Sequence, residues 1–237
     1  MKLLLTSNGI KNEDLEQAFL ELTVNRTGLK IAYIPTAGDS IEWIPETVGS
    51  KKYIAVLKEL TSEDKAKTEN WLREYRTKHE EKGHTVLFVD LKEGPAEIRK
   101  ALESVDVIEV GGGDVNWLLD WAKKSKLDTY LRDLLNNGVV YVGTSAGSML
   151  LNPDIGFTWW ELDKSDDHIG LGIVNFMFQP LHGETDESTV AKLIERKKHM
   201  QTIMDYPWKI YLAKDGQAIK VTDDKLEHIG NGDKRYI

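Results

Sequence analysis

Five consecutive residues, Gly143-Thr144-Ser145-Ala146-Gly147, have the types and spacing for nucleophilic catalysis. They form a G-x-S-x-G pattern between an apolar run, Val139–Val142, and residues able to open a helix. A nucleophile elbow needs that setting: a serine at a sharp turn, its hydroxyl raised above a sheet, with small residues where the backbone passes closely. The N–H of Ala146 and the helix start then face an oxyanion developing on a substrate carbonyl. A second cluster, Gly111-Gly112-Gly113, closes the preceding apolar run Val107–Val110. Glycines there let backbone amides approach a ligand, so this loop can lie beside Ser145 and donate a second oxyanion N–H. A phosphate loop is the weaker reading, because G-x-x-x-x-G-K-[ST] is absent and Asp114 follows the glycines.

A serine nucleophile needs a base, and the chain has 6 histidines. His79 and His199 read as solvated helix residues, His84 opens a strand at the end away from Ser145, and His228 lies in the tail. His168 and His182 flank the apolar stretch Leu171–Phe178. If that stretch is a parallel strand, its carboxyl end delivers His182 to the Ser145 side, which favours His182 and leaves His168 as the alternative. The base in turn needs an orienting carboxylate. Glu161, Asp163, Asp166, Asp167, Asp154 and Glu184 all compete, and spacing does not choose among them. The adjacent Trp159 and Trp160 beside these acids can wall a pocket.

The elements that must position these residues follow from the pattern. Leu3–Thr6 and Lys30–Pro35 read as strands, Asn12–Leu22 as an amphipathic helix, and Tyr53–Leu60 as a short helix. Ser62–Lys82 reads as a long charged helix with Ser62 as N-cap. His84–Leu91, Val107–Val110 and Val139–Val142 read as strands, alternating with helices at Pro95–Ser104, Val115–Lys124 and Leu127–Asn136. Strands apolar on both sides and separated by helices imply a parallel sheet covered on both faces, whose sites gather at the carboxyl ends of the strands. Asp186–His199 reads as a helix, and Lys209–Ala213 with Gln217–Val221 as a C-terminal β-hairpin turning at Lys214-Asp215-Gly216. The expectation is an α/β fold: residues 1–237 as a single domain, with a mostly parallel central sheet and helices on both faces.

Composition narrows the function further. The 237 residues carry 31 Lys and Arg against 39 Asp and Glu, a net charge of −8, which argues against electrostatic nucleic-acid binding. The chain has no cysteine, which removes disulfides, thiolate metal sites and a thiol nucleophile, and fits a reducing cytoplasm. The apolar run at the N-terminus is too short for a signal peptide, and no stretch approaches a membrane span. The expectation is a cytoplasmic protein, monomer or homodimer, without nucleic-acid or membrane partners.

On these residues the chain resembles the peptidase E family, aspartyl-dipeptidase-like serine peptidases with a class I glutamine amidotransferase-like fold. The likeness runs through Leu3-Leu4-Leu5-Thr6-Ser7-Asn8, Tyr33-Ile34-Pro35-Thr36-Ala37-Gly38, Val110-Gly111-Gly112-Gly113 and Gly143-Thr144-Ser145-Ala146-Gly147-Ser148. It continues in Gly170-Leu171-Gly172-Ile173-Val174 and Gly183-Glu184-Thr185. The resemblance implies a Ser–His–Asp/Glu triad and exopeptidase action on short peptides, with Ser145 as nucleophile and Ala146 with Gly112 or Gly113 as oxyanion donors. It places the histidine in a Pro-His pair, where this chain reads Pro180-Leu181-His182, displaced by one. It places the acid at a position held here by Trp160, which makes Glu161 the choice and Asp163 the reserve. Members specific for N-terminal aspartate look as if they need a cation in a Gly-Glu-Thr-Arg segment. Here that segment reads Gly183-Glu184-Thr185-Asp186, and an acid at Asp186 would repel an aspartyl side chain.

The sequence therefore predicts a serine-type, dipeptidase-like hydrolase working through an acyl-enzyme, with no metal or organic cofactor required. A serine amidase or esterase on a non-peptide substrate would share the same site, and a catalytically degenerate relative binding a ligand or partner is the non-enzymatic alternative.

Overall fold

The computed structural model describes residues 1–47, 53–156, 169–181, 187–203, 205–223 and 225–237. Short apolar runs become strands, and amphipathic segments between them become helices. In chain order these are β1 (Lys2–Thr6), α1 (Glu13–Leu22), β2 (Lys30–Ile34), β3 (Ile41–Pro45), β4 (Tyr53–Leu57), α2 (Ser62–Glu80), β5 (Thr85–Phe88), α3 (Pro95–Leu102), β6 (Val107–Val110), α4 (Val115–Lys124), α5 (Leu127–Asn136) and β7 (Val140–Thr144). They are followed by α6 (Ala146–Met149), β8 (Met177–Leu181), α7 (Glu187–Ile203), β9 (Ile210–Lys214), β10 (Ala218–Thr222), β11 (Lys225–Ile229) and β12 (Arg235–Tyr236).

The main sheet has the order β11-β10-β1-β7-β6-β2-β5. Strands β1, β7, β6, β2 and β5 run parallel, while β10 is antiparallel to both β1 and β11. Consecutive residues of a strand face opposite sides, and here both sides are apolar. Leu3, Leu5, Ile108 and Val110 pack with α3, α4 and α5 on one face. Leu4, Ile31, Val107 and Val142 pack on the other face against Leu15, Phe19 and Leu22 of α1. A smaller sheet, β12-β9-β8, is covered by α7 through Val190, Leu193 and Met200. Among the described residues no helix is long and apolar enough to cross a membrane.

Several local expectations are corrected. Tyr53–Leu57 is a strand, not part of a helix, and pairs antiparallel with β3. Its Tyr, Ile and Val favour extended backbone, and β3 supplies the partner ladder. The N-cap of α2 is Thr61, not Ser62: Thr61 and Asp64 form a reciprocal capping box. The strand expected over Leu171–Phe178 begins only at Met177. Before it, Leu171 and Ile173 donate backbone hydrogen bonds to Leu150 and Leu151 at 3.1 and 3.0 Å, closing the chain over the end of α6. The turn at Asp215-Gly216 forms, but β9 and β10 do not pair with each other. Strand β9 joins the small sheet and β10 the main one, and the C-terminal hairpin is instead β10–β11.

Candidate active site

Ser145 follows directly on β7, in the centre of the main sheet, and starts α6 with φ +50° and ψ −109°. A non-glycine residue at positive φ is strained and persists only when its surroundings hold it. They do so from three strands. The Ser145 amide donates to the Thr6 carbonyl at 2.9 Å, and the Ser148 hydroxyl donates to the same oxygen at 2.9 Å. The Thr6 hydroxyl donates to Gly143 O at 2.7 Å, and the Tyr141 hydroxyl donates to Gly147 O at 2.6 Å. A Cβ at Gly147 would lie 2.2 Å from Val110 O, so only glycine lets α6 cross β6 this closely. Because Thr6 takes the Ser145 amide, the next amide, that of Ala146, is the first one placed to meet an oxyanion; the opening amides of a helix have no partner within it.

The glycine loop lies where the sequence expected it, because β6 neighbours β7. A Cβ built on Gly112 would sit 3.3 Å from Ser145 Cβ. Gly113 has φ +144°, and a Cβ there would lie 1.8 Å from Ala37 O, so glycine is obligatory at that bend. Asp114 anchors the loop. Its amide donates to Ala37 O at 2.8 Å, one carboxylate oxygen caps α4 by accepting from the Asn116 and Trp117 amides at 2.9 and 3.0 Å, and the other accepts from the Trp43 indole at 2.8 Å. Asp39 continues the network, accepting from the Trp117 indole at 2.8 Å and pairing with Lys92 at 2.6 Å. Trp43, in the middle of β3, carried no signal in the sequence, and Thr6 and Asp114 stood out only as a strand end and as the acid after the glycines.

His182, Glu161, Trp160 and Asp186 lie outside the described residues, as do His168, Asp163, Asp166, Asp167, Trp159 and Glu184. Their flanks are defined. Strand β8 ends at Leu181, the residue before His182. The Asn152 side chain clamps Phe178 of β8, accepting from its amide at 2.9 Å and donating to its carbonyl at 3.0 Å. Asp154, another candidate acid, is buried and accepts from the Gly156 amide at 2.7 Å. The remaining histidines sit elsewhere. His199 is exposed on α7, and His84 precedes β5 at the opposite end of the sheet. His79, expected to be solvated, is half-buried with its ring centroid 4.6 Å from that of Tyr75. Burial first, then the neighbouring His84, Lys82 and Lys78, push its pKa down to about 4. His228 is not a tail residue but lies in β11, in register with Ile219.

Sequence reasoning also passed over Glu109. It lies in β6 on the face covered by α1 and α2, and accepts from the Tyr75 hydroxyl at 2.6 Å. Burial pushes its pKa up to about 7, against the lowering effects of the Tyr75 hydrogen bond and of Lys78. The available signal was one carboxylate inside an otherwise apolar run, Val107-Ile108-Glu109-Val110, on a strand covered on both faces.

A strained serine between a central parallel strand and a helix, flanked by a second strand-end glycine loop, defines a serine hydrolase layout. The comparisons with known proteins agree. Residues 3–229 match the model of peptidase family S51, and the chain belongs to that family, the serine peptidases of the peptidase E type. The fold is similar to that of a protein assigned as peptidase E from Listeria monocytogenes EGD-e, with a TM-score of 0.64 and 21% identity over 98% of each chain. It is also similar to a peptidase from an acI-B1 Actinobacterium, with a TM-score of 0.64 and 16% identity over 100% of this chain and 93% of that one. No curated protein matches the sequence.

Proposed function

We propose that the chain is a dipeptidase-like exopeptidase on short peptides, with Ser145 as nucleophile, His182 as base and Glu161 as the acid that orients it. Ser145 Oγ attacks the scissile carbonyl carbon while His182 takes the hydroxyl proton. The Ala146 and Gly112 amides, with Gly113 shaping the loop, stabilise the oxyanion. The tetrahedral intermediate collapses as the His182 proton passes to the leaving amine, giving an acyl-enzyme. His182 then takes a proton from water, whose oxygen attacks the ester, and the carboxylic acid leaves as Ser145 recovers its proton. Trp160 walls the substrate pocket, and Asp186 disfavours an aspartyl side chain. The absence of cysteine supports a cytoplasmic setting.

The observation that carries this reading is the Ser145 backbone, held at positive φ on the central strand with Gly112 against it. A fluorophosphonate probe tests it. The wild type should be labelled at Ser145 and lose peptide hydrolysis in step, and Ser145→Ala should show neither label nor turnover. Full turnover by folded Ser145→Ala would remove the nucleophile assignment.

A further inference from the structure

A cavity of about 850 Å³ lies on the sheet face covered by α1 and α2. His79 and His84 wall one end; the other reaches Thr144, which precedes Ser145, and Gly112, which abuts it. Glu109 lines the cavity between Val142 and Tyr33, its neighbours across the sheet. Tyr33, Trp71 and Tyr75 form an aromatic wall, with centroids 5.4 Å apart for Tyr33–Trp71, 4.4 Å for Tyr33–Tyr75 and 5.7 Å for Trp71–Tyr75. A carboxylate can accept about four hydrogen bonds. Among the described residues, Tyr75 is the hydrogen-bond donor to that of Glu109.

We propose that this cavity is a side-chain subsite of the active site and that it selects a basic side chain, lysine- or arginine-like, on the residue whose carbonyl Ser145 attacks. The inference rests on the peptidase reading above. The Glu109 carboxylate accepts from Tyr75 and feels the charge of Lys78, and a substrate cation within hydrogen-bond reach adds a second opposite charge in a low-dielectric setting. Aromatic faces suit both a cation and its hydrocarbon stem. Reach points the same way. Glu109 precedes Gly112 by three residues, about 10 Å of strand, a span for a long side chain and not for aspartate, whose charge Glu109 would also repel. At the rim, Lys67 pairs with Glu63 and Lys82 with Glu16, and Lys11 and Glu74 also line the cavity. Lys78 acts on Glu109 directly and competes with an incoming cation. Glu109 is thus faced by Tyr33 from β2 and by Tyr75 and Lys78 from α2, while His79, neutral near pH 7, lines the same cavity beside His84. Because burial raises the Glu109 pKa to about 7, selection of the cation should strengthen as pH rises through that value.

A matched dipeptide panel tests the proposal: lysyl-leucine against norleucyl-leucine, which keeps the stem and drops the charge. In wild type at pH 8 the lysyl peptide should lead in kcat/KM by about tenfold or more. Glu109→Gln should bring that ratio to within about twofold, and Lys78→Met should raise it above wild type. A wild-type ratio near one, or an unchanged ratio in Glu109→Gln, overturns the proposal. A binding measurement separates its failure from failure of the peptidase reading. Calorimetric titration of Ser145→Ala with hexylammonium and with hexanol needs no turnover. Tighter binding of hexylammonium, lost on adding Glu109→Gln, supports the subsite even if no peptide is cleaved. Equal binding of the two, or no binding of either, overturns it.

Discussion

The carbonyl of Thr6 accepts from both the amide of Ser145 and the hydroxyl of Ser148, each at 2.9 Å, so the end of β1 holds the turn that carries the serine. The Thr6 side chain adds to this by donating to Gly143 O at 2.7 Å and accepting from the Gly9 amide at 2.9 Å. Thr6→Val keeps the shape and removes both side-chain bonds. It should destabilise the fold by about 1–3 kcal/mol, since the groups left behind are buried or nearly so, and lower kcat more than it raises KM. Urea unfolding and steady-state kinetics measure the two effects; unchanged stability would show that the hydroxyl is dispensable.

The positive φ of Ser145 stores strain that glycine would not feel. Ser145→Ala and Ser145→Gly should both be inactive, yet the glycine variant should be more stable than the alanine variant by about 1–3 kcal/mol. Denaturant midpoints compare them. A glycine variant less stable than alanine would mean that the elbow is relaxed at this residue.

Asp114 both caps α4 and anchors the bend after Gly113. Asp114→Ala should destabilise by about 0.5–2 kcal/mol as a lost cap. Its larger effect should fall on kcat, about tenfold or more, because a displaced oxyanion donor weakens transition-state stabilisation. Trp43→Phe, which removes only the indole donor, should move kcat the same way by less. A rise in KM with constant kcat in both variants would contradict an oxyanion role for the loop.

If His182 acts as the neutral base, kcat/KM should rise with pH through an apparent pKa of about 6.5. His182→Ala should remove that limb and most activity, whereas His168→Ala should keep both. The opposite result would transfer the role to His168.

Glu109 and His79 pull the pH dependence of stability in opposite directions. The Glu109 carboxyl has a folded pKa of about 7 against 4.5 as its ordinary value, so the folded state binds the extra proton and stability from this group falls as pH rises between those values. His79 has a folded pKa of about 4 against 6.5, so the unfolded state binds the extra proton and stability from it rises across that window. Glu109→Gln removes the first contribution. Relative to wild type, the variant should gain stability on going from pH 5 to pH 7.5; a constant difference in urea unfolding between these pH values would refute the shift.

The central parallel strands were legible because both of their faces are buried, which leaves unbroken apolar runs such as Leu3–Leu5 and Val140–Val142. The elbow was legible because its glycines meet a local steric demand. The errors arose where structure depends on distant partners. Tyr53–Leu57 takes its identity from β3, and β9 and β10 take theirs from β8 and β1, none of which a local turn signal reports. His79 was misplaced because α2 lacks a continuous apolar stripe and reads as solvated, yet its Trp71, Tyr75 and His79 recur at helical spacing and line the cavity. Glu109 was read as one more strand position, although it is the one carboxylate in its apolar run; the pairing of β6 between β2 and β7 shows why that matters, by placing it inside the sheet.

The tight turn at Asp215-Gly216 has a metrical consequence. Leu181, the residue before His182, is in register with Lys214; four residues later Ala218 is in register with Thr6, whose carbonyl holds Ser145. The turn is fastened to the main sheet's rim by Ser7 Oγ donating to Asp215 at 3.1 Å and by the Gly216 amide donating to Asn8 at 3.1 Å. Two ladders and a turn of fixed length thus form a spacer between the carboxyl ends of two separate sheets. Proteins with this connection would tolerate changes of side chain along the spacer far better than changes in its residue count, because one inserted residue offsets an entire ladder while leaving every individual strand intact.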